Sequence, residues 1–180
     1  NYPTSSGSFQ DAAQASAITD MAYSKDGVYV GCVYCRGYAV TTTDFLTWQV
    51  RNIVGDEKPW TDIYNIDNNG TFVMFAAGSR DIARSADNGT TWTLYLNALP
   101  GVWNNAGRNT TSGTRLAVNA AGVICILPIA TSTNVLYRSD DGGITWTSQT
   151  FATTNIKGAI CALGNRFVVA VATAATAIFE

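Results

Sequence analysis

Apolar and polar positions alternate along this chain in short runs, and no stretch repeats at helical spacing with conviction. In residues 18–48, ITDMAYSKDGVYVGCVYCRGYAVTTTDFLTW, an alternating run leads to the turn signal KDG and a second apolar run follows. Residues 61–92, 114–146 and 157–180 repeat the plan, with NNG, AAG and LGN at the turn. Alternation over four to eight residues, bounded by Gly, Asn and Asp, predicts half-buried strands joined by hairpins. The pattern therefore predicts an all-β chain. Only Gln10–Ala17 tolerates a helix, and its surroundings make it a connector.

Within the pattern sits a repeat. Ser85-Ala86-Asp87-Asn88-Gly89-Thr90-Thr91-Trp92 and Ser139-Asp140-Asp141-Gly142-Gly143-Ile144-Thr145-Trp146 both fit S-x-D-x-G-x-T-W. Five fixed residues, one of them Trp, should coincide by chance on the order of once per several million start positions. Thr42-Thr43-Asp44-Phe45-Leu46-Thr47-Trp48 is a shortened copy without the Gly, and the Trp-to-Trp spacings are 44 and 54 residues. The motif resembles the Asp-box, or BNR repeat, of sialidase-like β-propellers. Each residue type acts locally, with Asp accepting turn N–H groups, Gly taking a positive φ, and Trp burying its ring over the hairpin. Asp87 and Asp141 could instead serve a ligand or metal, but in the family the box is structural and lies away from the ligand face. The structural set is thus Ser85, Asp87, Gly89, Thr91, Trp92, Ser139, Asp141, Gly143, Thr145 and Trp146, with Asp44 and Trp48.

The resemblance implies one β-propeller domain over residues 1–180, with four-stranded blades at 18–52, 61–99, 114–152 and 157–180. In one geometry residues 1–10 complete the last blade, since Thr4–Gln10 reads as a worn box and an outer strand, and the ring closes with no bare edge. The alternative is a fragment of a larger propeller.

Composition narrows the chemistry. The 180 residues (19.2 kDa) suit one domain, and 47% apolar with 13% charged residues speaks against disorder. A net charge of -2 without a basic run gives no nucleic-acid footprint. The absence of His excludes His-based triads and His-ligated zinc. No apolar run approaches the length of a spanning helix, so no membrane insertion is expected. The chain opens at Asn1 with neither Met nor a leader, and reads as a processed or excised piece. Cys32 and Cys35 form a CxxC on a strand pattern, where residues three apart point to opposite faces. A redox CxxC normally opens a helix, and zinc would need a second close pair, which Cys125 and Cys161 do not form. The four cysteines read as buried free thiols acting as small hydrophobes, with a Cys32–Cys125 or Cys125–Cys161 disulfide as the alternative. No metal and no cofactor is expected.

Sialidase activity would imply an arginine triad, a Tyr–Glu nucleophile pair and an Asp acid. The only glutamates are Glu57 and Glu180, and the (F/Y)RIP signature is absent. Asp56, Glu57 and Asp62 cluster in RNIVGDEKPWTD and read as a solvated loop beside Lys58, so no catalytic residue is assigned. In the family, ligands meet the end opposite the boxes, here residues 34–37, 51–60, 78–81, 97–113, 131–134 and 150–157. These loops hold Tyr34, Arg36, Trp60, Arg80, Trp103 and Arg108, and exposed rings near Arg and Asn suit sugar or protein recognition, the alternative for each ring being core packing or a cap on the seam between blades. The expectation is a non-catalytic binding or structural module for a surface glycan or a protein partner. A composition rich in Thr, Ala, Asn and Gly and poor in Lys resembles phage virion and tail-fibre proteins, assembled in the bacterial cytoplasm into larger particles. The alternative is a secreted carbohydrate-active protein of sialidase-like ancestry.

Overall fold

The structure, a computed structural model, describes residues 18–34, 37–53, 58–103, 115–128, 134–150, 160–170 and 176–179. The N-terminal segment 1–10 and the connector 10–17 lie outside these residues. The chain divides into two compact units, one from residues 1–76 and 81–96, the other from 77–80 and 97–180.

The first unit holds two four-stranded sheets. Strands β1 (Ile18–Tyr23), β2 (Tyr29–Val33), β3 (Tyr38–Thr42) and β4 (Gln49–Asn52) form one. Strands β5 (Trp60–Asn65), β6 (Phe72–Ala76), β7 (Ile82–Ser85) and β8 (Thr93–Tyr95) form the other. The second unit holds β9 (Leu116–Val118), β10 (Ile124–Ile126), β11 (Val135–Ser139) and β12 (Thr147–Thr150) in a four-stranded sheet. A three-stranded sheet follows, built from β13 (Ile160–Leu163), β14 (Arg166–Ala170) and β15 (Thr176–Phe179). Every sheet is an antiparallel meander in chain order.

Alternation along the strands selects the core. Val30 and Cys32 of β2 and Ala39 of β3 share one face, because residues two apart on a strand point the same way. They pack in one buried cluster with Trp60, Ile63, Phe72, Met74 and Trp92 of the second sheet. In the other unit Ala117, Cys125 and Leu136 meet Ile160, Phe167 and Val169.

The turns also join sheets within each unit. Lys25 N–H donates to Asn68 O (3.4 Å) in the first unit, and Ala120 N–H donates to Gly164 O (2.9 Å) in the second. Both acceptor residues are left-handed, with φ of 58° and 60°. An asparagine amide reinforces each joint, Asn65 Nδ2 on Tyr23 O (2.7 Å) and Asn119 Nδ2 on Asn165 O (2.9 Å).

One departure from the sequence reading concerns residues 97–103, read as the start of an open loop. They pair with 78–80 instead: Gly78 N–H reaches Trp103 O (2.8 Å), Trp103 N–H reaches Ser79 O (2.6 Å), and Leu99 N–H reaches Arg80 O (2.9 Å). This strap buries Leu99 and Trp103 completely.

Candidate functional site

In each unit, aspartates organise hairpin turns. In the β7–β8 turn Ser85 Oγ donates to Asp87 Oδ1 (2.8 Å) and accepts from Gly89 N–H (2.9 Å). Thr91 N–H and O–H donate to the two oxygens of Asp87 (2.9 and 2.6 Å). The Trp92 ring N–H closes on Gly89 O (3.0 Å). The β11–β12 turn repeats the network through Ser139, Asp141, Gly143, Thr145 and Trp146. Left-handed pairs, Asn88–Gly89 (56° and 75°) and Gly142–Gly143 (72° and 85°), make both reversals. The two Trp rings are buried, at 8% and 7% exposure.

The β3–β4 turn solves the same problem with fewer residues. Asp44 Oδ1 accepts from Leu46 N–H and Thr47 N–H (both 2.8 Å), and Oδ2 from the Thr47 hydroxyl (2.6 Å). Phe45 takes the left-handed position, φ 58°, and Trp48 is only half-buried.

A fourth aspartate escaped the sequence reading. In the β5–β6 turn Asp67 accepts from Asn69 N–H (2.8 Å), Thr71 N–H (3.0 Å) and the Thr71 hydroxyl (2.6 Å). Asn65, Asp67 and Thr71 are spaced as Ser85, Asp87 and Thr91 are. Because Asn stands for Ser and no Trp follows, a search for the full motif passes over it.

These bonds keep the carboxylates ionised. The Thr47 hydroxyl leads in holding Asp44 well below the usual carboxylate range. For Asp67, Asp87 and Asp141 burial pushes the pKa up, but the Thr hydroxyl and turn N–H bonds outweigh it and leave all three lowered, Asp141 to about 2. The unfolded chain, with Asp near 3.9, therefore takes up protons at acid pH before these folded carboxylates do. Their stabilisation is complete above about pH 5 and is lost as pH falls through 4 toward 2. The expected result is a flat Tm from pH 7 to 5 and a fall below 4, with a shallower fall in the Asp87→Asn/Asp141→Asn double variant. Equal slopes would contradict it.

The loops read as the ligand face are less open than the sequence suggests. Trp60 and Trp103, read as exposed loop rings, are completely buried. Trp60 starts β5 and joins the first unit's core, while Trp103 is held by the strap described above. Tyr34 is 46% exposed, and Arg80 is exposed with its Nε donating to Leu99 O (2.7 Å). Arg36 and Arg108 lie outside the described residues. So do Asp56 and Glu57, whereas Asp62 is not in a solvated loop: it is buried in β5 and accepts from Thr61 Oγ1 (2.7 Å). Lys58 pairs with Asp81.

Cys32 and Cys125 are buried free thiols, and burial pushes each up to about 12, so both stay protonated at neutral pH. Cys161 is also free but exposed, a correction to the all-buried reading: it lies on the face of β13 opposite to Ile160 and Ala162, which turn to the core. Cys35 lies outside the described residues. Among the described residues no group of three or more Cys, Asp and Glu side chains is placed to hold a metal ion.

Two surface features flank the β3–β4 turn. Tyr23, Tyr29, Phe45 and Trp48 form a chain of ring contacts at 4.7, 4.3 and 6.1 Å between centroids. Tyr23 and Phe45 are 47% and 51% exposed. A cleft of about 250 Å³ is lined by Val28, five threonines of which Thr43, Thr47 and Thr90 are exposed, Gln49, Arg51 and Asn88.

Comparison with known proteins bears on fold. No protein-family model matches the chain, and no curated protein matches it. Among solved structures, virginiamycin B lyase from Staphylococcus aureus is similar over 89% of this chain and 54% of its own, at 13% identity and a TM-score of 0.58. YCF48 bound to D1 peptide is similar at 16% identity and a TM-score of 0.55, over 86% of this chain and 48% of its own. The Cps50 (Swd1) β-propeller domain of Myceliophteria thermophila follows at 11% identity and 0.53, over 88% and 48%. The likeness is one of fold: antiparallel meander sheets of the β-propeller type. The chain spans about half the length of the lyase structures it matches.

Proposed function

We propose that the chain is a non-catalytic binding or structural propeller module, and that Asp44, Asp87 and Asp141 brace hairpins rather than perform acid–base chemistry. One observation carries this reading: each recurrent carboxylate is satisfied by hydroxyl and N–H donors of its own turn and held ionised at neutral pH. A general acid would need the reverse, a raised pKa and a free proton. For the partner we favour a protein segment docking beside Tyr34 of the first unit. Burial of Trp60 and Trp103 takes both rings out of a sugar's reach in their own units, and a structural neighbour, YCF48, is bound to D1 peptide. A virion or tail-fibre setting rests on composition.

The reading is tested with fluorogenic glycosides, a sialoside included, and with a displayed peptide library. No turnover is expected, and enriched peptides should lose binding in the Tyr34→Ala variant. Glycoside hydrolysis abolished by Asp87→Asn or Asp141→Asn would overturn the proposal.

A further inference from the structure

Only two asparagines in the sequence are followed by glycine, in Asn69-Gly70 and Asn88-Gly89, and the structure treats the two pairs oppositely. We infer that Asn69 is a site of spontaneous covalent modification. Its side-chain amide is lost to water and the β5–β6 turn ages into a mixture of aspartate and isoaspartate, while Asn88 is protected by its own turn. The inference does not depend on what the module binds.

The chemistry needs only water. Glycine favours it because no Cβ crowds the nitrogen that attacks. Hydroxide takes the Gly70 N–H proton, and the nitrogen's electron pair forms a bond to Asn69 Cγ. The Cγ–Nδ2 bond breaks, and Nδ2 leaves as ammonia with a proton from water. Water then opens the resulting succinimide ring at either carbonyl. One opening gives aspartate, and the other gives isoaspartate, whose main chain runs through the side-chain carbons and is one methylene longer. Overall one water enters, one ammonia leaves, and nothing is oxidised or reduced.

Access separates the two pairs. Asn69 is exposed, and among the described residues neither its side-chain amide nor Gly70 N–H has a hydrogen-bond partner. Gly70 is buried on the side where a Cβ would project, since an added carbon would meet Asn88 Oδ1 at 2.2 Å. Buried N–H groups are almost always paired, so the unpaired one marks the side that solvent reaches. In the second pair Gly89 N–H donates to Ser85 Oγ (2.9 Å), and Asn88 Nδ2 is held by Asp26 Oδ2 (3.1 Å). Asn88 Oδ1 is buried against Gly70, so its Cγ reaches the Gly89 nitrogen only by leaving both contacts. The modified turn also reports on its neighbour. Gly70 O accepts Asn88 N–H (3.0 Å), so an extra methylene between positions 69 and 70 carries the change to the β7–β8 turn.

The test holds the chain in mildly alkaline buffer at physiological temperature and follows each asparagine by chromatographic peptide mapping with mass spectrometry. Asn69 should convert first, mostly to isoaspartate, at a rate that rises with hydroxide. Asn88 should convert at least tenfold more slowly in the folded chain and as fast as Asn69 in urea. Asp26→Ala frees the Asn88 amide and Ser85→Ala frees Gly89 N–H, so each should narrow the gap. Hydrogen exchange at the Asn88 amide should quicken in the isoaspartyl chain and stay slow in Asn69→Asp, which has the charge without the longer backbone. Asn88 converting as fast as Asn69 in the folded chain, or Asn69 intact there after the urea sample has converted, would overturn the inference. So would a gap that neither variant narrows, or exchange at Asn88 unmoved by isoaspartate.

Discussion

Trp92→Ala is expected to lower the unfolding free energy by about 3–5 kcal/mol, the usual range for deleting a buried large aromatic. Two losses combine. The ring packs in the cluster that contains Val30, Cys32 and Ala39 of the first sheet, so its removal opens a cavity where one sheet meets the next. Its N–H bond to Gly89 O also disappears, releasing the carbonyl of the turn's left-handed residue. Trp92→Phe separates the terms: most of the area remains, and the loss should be nearer the 0.5–1.5 kcal/mol of one net hydrogen bond, roughly. Urea denaturation at unchanged m reads both. A loss below about 1 kcal/mol for Trp92→Ala would mean that the ring is not what holds the hairpin to the core.

Gly89→Ala should cost about 2–4 kcal/mol, from left-handed strain and overpacking together. Gly89 sits at φ +75°, and a Cβ there would meet Val30 Cγ2 at 2.9 Å, Val30 Cγ1 at 3.0 Å and Thr41 Cγ2 at 3.1 Å. Val30 and Thr41 belong to the first sheet, so the glycine is both a bend and a contact surface for its neighbour. Gly27 is the control: it has a similar φ, +81°, with nothing near the added carbon, and Gly27→Ala should show only the strain of about 1–2 kcal/mol. Adding Val30→Ala to Gly89→Ala should recover part of the loss, a positive coupling measured by the double-mutant cycle. Strict additivity would refute the contact.

The strands were legible because alternation and turn chemistry agree. KDG, NNG, AAG and LGN each place a left-handed glycine where a hairpin turns, at Gly27, Gly70, Gly122 and Gly164. The aspartate networks were legible for a related reason, since an Asp two residues after Ser and four before Thr has its donors within local reach. Asp67 was missed because the motif was read with its Trp, while the bracing needs only the Asn–Asp–Thr spacing.

The loop tryptophans were misread through long-range pairing, which no local pattern encodes. Trp103 follows Pro100 and Gly101 and looks like a loop ring, but its backbone pairs with Ser79, more than twenty positions earlier. Trp60 follows Pro59 and also looks exposed, until β5 pairs with β6 and turns its face to Cys32 and Ala39. The ring chain on the first sheet was missed because Tyr23, Tyr29 and Phe45 lie on three different elements, two strands and a turn. Only the β1–β2 register, Tyr23 opposite Tyr29, and the fold-back of the next turn bring them together.

The backbone clasps Lys25–Asn68 and Ala120–Gly164 ask almost nothing of the donor's side chain and only a left-handed geometry of the acceptor. A sheet duo fastened in this way tolerates drift over most of its surface while keeping its alignment. The duo, rather than the single sheet, is then the natural quantum of cooperative opening, and a lineage could lengthen or shorten such a chain by whole duos without breaking either clasp.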